Sequence, residues 1–297
     1  LPSETPTDHT WLGGALIAAA FVLWIVGTLQ AIRPPRLQRV SLPVDSLPPD
    51  LIGLQIVQIS DIHVGPTIGE RFTRHLVDRI QELQPDLIVI TGDLVDGDVH
   101  HLADDVAPIF DLKAPLGVHF ITGNHELISG VSPWVEHLSK GGISVLENEA
   151  RRLKHANTEF NLVGVEDWDS ERFEPTRRHN LQVALKDTDR SLFTLLLAHQ
   201  PKAINEASQA GIHVQLSGHT HGGQIAPFAY LTYLDQPYRR GLYKVSPTLL
   251  YVNEGTGYWG PPLRLGTRSE ITLFDLQNSP SPKPTTPRSA LVTPKTN

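Results

Sequence analysis

The distribution of apolar and polar positions divides the chain into an uncharged stretch, a globular pattern of short strands and helices, and polar or proline-rich flanks. Residues 11–32 carry no charge. At ~1.5 Å rise per residue these roughly 22 residues match the ~30 Å hydrocarbon core of a bilayer, so a transmembrane helix is expected, with Trp11 and Trp24 as interface anchors. A buried soluble helix is the plainer alternative, but so long an uncharged run is rare there. A cleaved signal peptide is disfavoured because the apolar region is too long and no small-residue cleavage pattern follows it. Before this run, residues 1–10 are short and polar. After it, residues 33–50 contain Pro34, Pro35, Pro43, Pro48 and Pro49, a density that blocks helix and central strand. An extended linker is expected over 33–50, and a globular domain over 51–277.

Within that domain, residues 54–60 read as a buried strand. Residues 69–84 read as a helix with Phe72, Leu76, Ile80 and Leu83 along one face and Pro85 ending it. Residues 87–91 form the next strand, which makes a right-handed βαβ unit with a parallel pair. Further strands are expected at 118–122, 143–147, 160–165, 192–198, 214–217, 249–252 and 270–276. Helices are expected over 132–140, with Pro133 at the first helical position, and between Pro201 and Gly211. Residues 278–297 turn to Ser, Pro, Thr and Lys and read as a disordered tail.

Composition narrows the function. The net charge is −7, which argues against nucleic acid as a partner. There is no Cys, so disulfides, thiolate metal sites and Cys nucleophiles are excluded. There is no Met either, not even at position 1, so a fragment or processed form with residues preceding Leu1 is expected. Arg33, Arg36 and Arg39 follow the uncharged stretch, and no Lys or Arg lies before it. The positive-inside rule then places the following domain in the cytoplasm.

Five polar clusters each follow an apolar run: Asp61-Ile62-His63, Gly92-Asp93, Gly123-Asn124-His125-Glu126, His199 and Gly218-His219-Thr220-His221. In open α/β sheets, ligands bind beyond the carboxyl ends of strands, so five clusters at five such ends describe one site. Carboxylate, imidazole and amide together suit divalent first-row metals. Asp61, His63, Asp93, Asn124, His199, His219 and His221 are too many donors for one ion, which suggests two ions sharing a carboxylate. Glu126 is expected to support a ligand, and Asp96 and Asp98 to shape a turn or support Asp93. Gly92, Gly123, Gly218, Gly222 and Gly223 would let backbone approach the ions closely. No spacing recruits His100, His101, His119, His137, His155, His179 or His213, which are expected to be ordinary loop residues.

In order and spacing, these clusters resemble the calcineurin-like metallophosphoesterase family, over residues 51–276. The run His219-Thr220-His221-Gly222-Gly223-Gln224 and the later run from Gly255 to Pro262 resemble its membrane-anchored bacterial branch of YkuE and YaeI types. A UDP-2,3-diacylglucosamine pyrophosphatase of lipid A synthesis falls in a related group. The resemblance implies a four-layer α/β-β/α sandwich on an N-terminal transmembrane helix, located in a bacterial inner membrane. It implies that Asp61, His63 and His221 hold one divalent ion and Asn124, His199 and His219 a second, with Asp93 bridging. The ions would be Mn, Fe or Zn. His125 would be the acid or phosphate-contacting group, and a bridging hydroxide the nucleophile. The expected substrate is a phosphoester or pyrophosphate, with a lipid-linked one at the membrane as the finer reading. A phosphodiesterase for soluble nucleotides and a non-catalytic metal-binding scaffold are the alternatives. The intact ligand set and His125 argue against the scaffold. Arg239, Arg240, Arg264 and Trp259 are candidate substrate contacts, and the apolar residues 225–238 a candidate surface for a lipid or the bilayer.

Overall fold

The computed structural model describes residues 10–227 and 236–279. In chain order the elements are α1 (Thr10–Ala31), β1 (Arg36–Val44), β2 (Gln55–Ile59), α2 (Glu70–Gln81), β3 (Leu87–Thr91), α3 (Val99–Val106), β4 (Val118–Ile121), α4 (Asn124–Ser129), α5 (Val131–Lys140) and β5 (Ser144–Val145). There follow β6 (Glu149–His155), β7 (Thr158–Gly164), α6 (Ser170–Phe173), α7 (Leu181–Ala184), β8 (Thr194–Leu197), α8 (Ile204–Gln209), β9 (Val214–Ser217), β10 (Gly241–Val245), β11 (Thr248–Val252) and β12 (Glu270–Asn278). The polar N-terminal segment lies outside the described residues, apart from Thr10. So do the tail from residue 280 onward and much of the apolar 225–238 stretch.

Two six-stranded sheets form the centre, in the orders β1-β12-β2-β3-β4-β5 and β10-β11-β9-β8-β7-β6. Their facing surfaces enclose one apolar layer that includes Leu54, Ile56, Val89, Phe160, Leu195, Leu216 and Phe274, all fully buried. Each such side chain contributes about 1.5–3 kcal/mol by leaving water. On the outer face of the first sheet, Leu76, Val77 and Ile80 of α2 and Trp134 and Leu138 of α5 cover Val57, Ile59 and Ile90. On the second, α7 and α8 cover Val163, Leu196 and Leu250. This is the expected four-layer α/β-β/α sandwich. Its central strands are buried on both faces, which is why they read as continuous apolar runs.

The stretch 33–50 departs from expectation. Residues 36–44 form β1, paired parallel to β12 from Arg36↔Glu270 to Val44↔Asn278. β1 is an edge strand, the one place in a sheet where Pro43 costs no ladder bond. The globular part therefore begins at Arg36 rather than near Leu51. β12 runs antiparallel to β2 and β1 parallel to β12. Hence β1 starts at the sheet edge where β2, β3 and β4 end. α1 is long and apolar enough to cross a membrane, and little of it is buried in the fold.

Candidate metal centre

The first link from sequence to site is backbone conformation. Asp61, His63, Asp93, His219 and His221 all have positive φ, between 49° and 71°. A non-glycine residue in that region costs about 1–3 kcal/mol and persists where its surroundings over-determine it. Here the surroundings do. The loops after β2 and β3 are joined by Asp61 N–H to Gly92 O at 3.0 Å, His63 N–H to Asp93 O at 3.1 Å and Val64 N–H to Leu94 O at 2.8 Å. Glycine is required where these loops meet. Gly92 has φ +88°, and a Cβ there would lie 2.6 Å from His199 Nδ1. A Cβ on Gly218 would lie 2.1 Å from the Asp61 carboxylate.

The seven candidate ligands come together in two groups. Asp61, His63 and His221 offer atoms that all lie within 4.8 Å of one another, as do Asp93, His199 and His219. His63 Nε2 is 3.0 Å from His221 Nε2, and His221 Nε2 is 3.4 Å from Asp61 Oδ1. His199 Nε2 is 3.2 Å from His219 Nδ1 and 3.3 Å from Asn124 Oδ1. Asp93 Oδ2 stands between the groups, 3.1 Å from His199 Nε2 and 3.9 Å from His63 Nε2. Its other oxygen accepts the His125 N–H at 2.9 Å.

The outer contacts leave lone pairs pointing inward. His199 Nδ1 donates to the Thr91 carbonyl at 2.7 Å, which frees Nε2. His63 Nδ1 faces Asp96 Oδ1 at 2.7 Å, which frees its Nε2. Carboxylate, imidazole and amide donors thus converge in a largely buried pocket, and a divalent cation fits that donor set. Protonation follows the same crowding. Burial pushes Asp61 up. Burial opposes ionisation of Asp93 too, but the neighbouring His199 prevails and holds it well below the usual carboxylate range. His221 is held well below the usual imidazole range by burial, then by His63 and Arg264.

Asp96 has a larger role than a turn residue. The same Oδ1 that meets His63 is also 2.7 Å from His125 Nδ1, so one carboxylate holds a candidate ligand and the candidate acid. Burial alone would raise Asp96, but the hydrogen bonds from His125 and His63 lower it to about 2. His125 in turn is raised: burial would lower it, and Asp96 outweighs that. Glu126 is fully buried and accepts from Gly123, Asp93, Leu94 and Val95 N–H groups, which clamps the β3 and β4 loops together.

Arg264 departs from expectation. It is fully buried, and its Nη2 donates to the Glu254 and Gly257 carbonyls at 2.8 and 2.7 Å, with His221 Nδ1 3.3 Å away. Burial lowers it to about 10. It supports the His221 loop from behind and is closed to substrate. Arg240 donates to the Gly266 carbonyl at 3.1 Å and pairs with Glu254 at 3.5 Å, on the Arg36 side of the loop. The Arg239 carbonyl accepts from Thr220 Oγ1 at 2.5 Å. Trp259 is 55% exposed, with its ring 6.1 Å from that of His125, beside the candidate acid. Among the described residues the other histidines lie outside the two groups, and His119, expected in a loop, lies on β4. His119 is buried and bonds the Leu116 carbonyl, His179 meets the Glu166 carbonyl, and His101 pairs with Asp98. Sequence reasoning missed Asp167 and its partner Gln200, which follows His199. The Gln200 amide donates to both Asp167 oxygens at 3.0 and 3.1 Å. Their signal was the position of Asp167 just past the end of β7.

A sandwich with histidine and carboxylate clusters where its strands end is the architecture of metal-dependent phosphoesterases. A model of the calcineurin-like phosphoesterase family matches residues 54–223, more than half of the chain. The chain belongs to the calcineurin-like metallophosphoesterase family. It is 41% identical over 273 residues to a "Transmembrane protein with metallophosphoesterase domain" of Danio rerio, covering 89% of this chain and 62% of that protein. It is 32% identical over 241 residues to the "Uncharacterized metallophosphoesterase YkuE" of Bacillus subtilis, covering 78% and 82%. Among solved structures, a dimetal phosphatase from Danio rerio superposes with a TM-score of 0.48 at 13% identity, covering 75% of this chain and 99% of that one. The chain spans about three-fifths of the length of the vertebrate transmembrane relatives.

Proposed function

We propose that the chain is a dinuclear metal-dependent hydrolase of phosphoesters or pyrophosphates, with a lipid-linked substrate at the membrane as the finer reading. The observation that carries it is Asp93 Oδ2, placed between two histidine groups, each with its own further oxygen donor. Asp61, His63 and His221 would hold one divalent ion, Asn124, His199 and His219 the other, and Asp93 both. Manganese, iron and zinc all accept this donor set. Such ions supply Lewis acidity to a phosphoryl group and acidify water. The protein's own residues do the rest. Asp96 stabilises the imidazolium form of His125 and so raises it above the ordinary imidazole value, which suits His125 to deliver a proton to the leaving oxygen. Asp96 is a positioning residue, since it fixes Nδ1 and so aims Nε2. Asn124 contributes no charge, which keeps its ion electrophilic.

The lipid-linked reading is supported by α1 and by the transmembrane relatives. Arg33, Arg36 and Arg39 favour a domain facing the cytoplasm, in a bacterial inner membrane. The test is metal content and hydrolysis of bis-p-nitrophenyl phosphate by the purified chain in detergent, with and without added manganese. About two ions per chain and manganese-stimulated turnover are expected. Bound metal without turnover on this diester or on a panel of pyrophosphates would replace the hydrolase with the scaffold reading. Labelling of an introduced cysteine from outside intact cells would overturn the orientation.

A further inference from the structure

The segment between β11 and β12 connects the candidate centre to the membrane helix. At one end, Thr256 N–H and Gly257 N–H donate to the Ser60 and Asp61 carbonyls at 2.7 and 3.0 Å, beside the ligands. Trp259 follows, next to His125. At the other end, Arg264 N–H donates to the Gly27 carbonyl of α1 at 3.0 Å. Leu263 and Leu265 lie where a side chain on Gly27 would stand, at 2.5 and 3.2 Å from its Cβ position.

Helix length turns this contact into a depth. α1 has 22 residues, and a ~30 Å hydrocarbon core takes about 20 of them at ~1.5 Å each. Gly27 lies four residues, or about 6 Å, before the helix end at Ala31. Leu263 therefore packs on α1 at the level where hydrocarbon gives way to headgroups. Its neighbour Trp259 is a side-chain type that suits that zone, and Pro261 beside it is exposed. Arg33 and Arg268 are exposed on the same side, around one cavity with Gln30 and Arg36, which suits anionic headgroups. The topology agrees independently, because β1 leaves the membrane side and starts at the edge where β2, β3 and β4 end.

We infer that the metal-bearing edge of the sandwich faces the bilayer that holds α1, with residues 259–263 seated in the interface, so that substrate reaches the centre from the membrane surface. The substrate part of this rests on the hydrolase reading, whereas the orientation does not. A soluble domain on a free tether would instead expose every edge to water equally.

The chain has no cysteine, so single-cysteine variants of the full chain report cleanly. Pro261→Cys probes the proposed interface. Asn157→Cys, in the exposed β6–β7 turn, probes the far edge, roughly 23 Å away by seven strand steps of ~3.3 Å. Each is labelled with an environment-sensitive fluorophore and reconstituted in phosphatidylcholine–phosphatidylglycerol vesicles carrying a headgroup-proximal spin-labelled lipid. The expected result is severalfold quenching at position 261 and none at 157. Arg268→Cys gives the same reading if the Pro261 variant fails to fold. No quenching at 261 and 268, or equal quenching at 157, would overturn the orientation. Turnover of bis-p-nitrophenyl phosphate by the same preparations separates the two ideas. Turnover without quenching leaves the hydrolase and removes the orientation, and quenching without turnover does the reverse.

Discussion

The two halves of the candidate centre are built from similar donors and differ in access. Asp61, His63 and His221 are all buried, and His221 is backed by the fully buried Arg264. In the other half only His199 is sealed, while Asn124 and His219 are half-buried. A cation held in the closed half would have little water at hand to replace a lost ligand, so its binding would be the stronger and slower of the two. A cation held in the open half would keep positions for water and substrate, which is what an ion in contact with the reaction needs. On the two-ion reading, depth of burial, more than ligand type, would divide an anchoring ion from a working one.

Four experiments would break or sharpen that contrast. Asp93→Ala removes the carboxylate that stands between the two halves, so on the two-ion reading both ions should be lost. Turnover should then fall by more than the ~10–100-fold typical of outer-shell changes, and metal analysis near zero checks this. Next, His221→Ala and His219→Ala should diverge. The first should empty the closed half and lower thermal stability, and the second should leave about one ion per chain with turnover largely gone. Equal metal loss in the two variants would end the distinction. A smaller effect is expected from Asp96→Asn, about 10–100-fold in turnover with metal content nearly kept. Asp96 raises His125, and an acid must be protonated to act. The alkaline limb of the pH–rate profile should therefore move to lower pH in this variant, which a merely structural role would not cause. The smallest effect concerns acid stability of the metal-free chain. Asp96 is held at about 2 against an ordinary 3.8, worth about 2 kcal/mol. That stability is present above the ordinary value and lost as pH falls through about 2. Denaturant midpoints for Asp96→Asn and the parent should converge there.

Much of this was legible before any coordinates, for a physical reason. A strand buried on both faces must be apolar, so a polar residue at its end is conspicuous, as at Asp61, Asp93, Asn124, His199 and His219. Asp96 was not legible in that way. It lies in the loop beyond β3, and only the left-handed turn at Asp93 swings it back beneath His63 and His125. Arg264 was misread because a surface and a buried arginine look alike in sequence; what distinguishes them is the row of carbonyls from Glu254, Gly257 and His221 that no pattern announces. Proline density in 33–50 points away from a strand, yet an edge strand tolerates Pro43, and β1 forms there.

The pairing of β1 with β12 also bears on how the chain is made. Arg36 and its partner Glu270 are 234 positions apart, which at ~5–20 residues per second is roughly 12–47 s of synthesis. α1 can enter the membrane early, but β1 must wait beside it, its apolar Leu42 and Val44 uncovered, until β12 emerges. Proteolysis of stalled nascent chains should find the β1 region open before residue 270 is made and protected soon after; early protection would rule out the delay. The first sheet thus closes on its oldest strand with its newest, and any chaperone that attends this protein has the wait for β12 as its working interval.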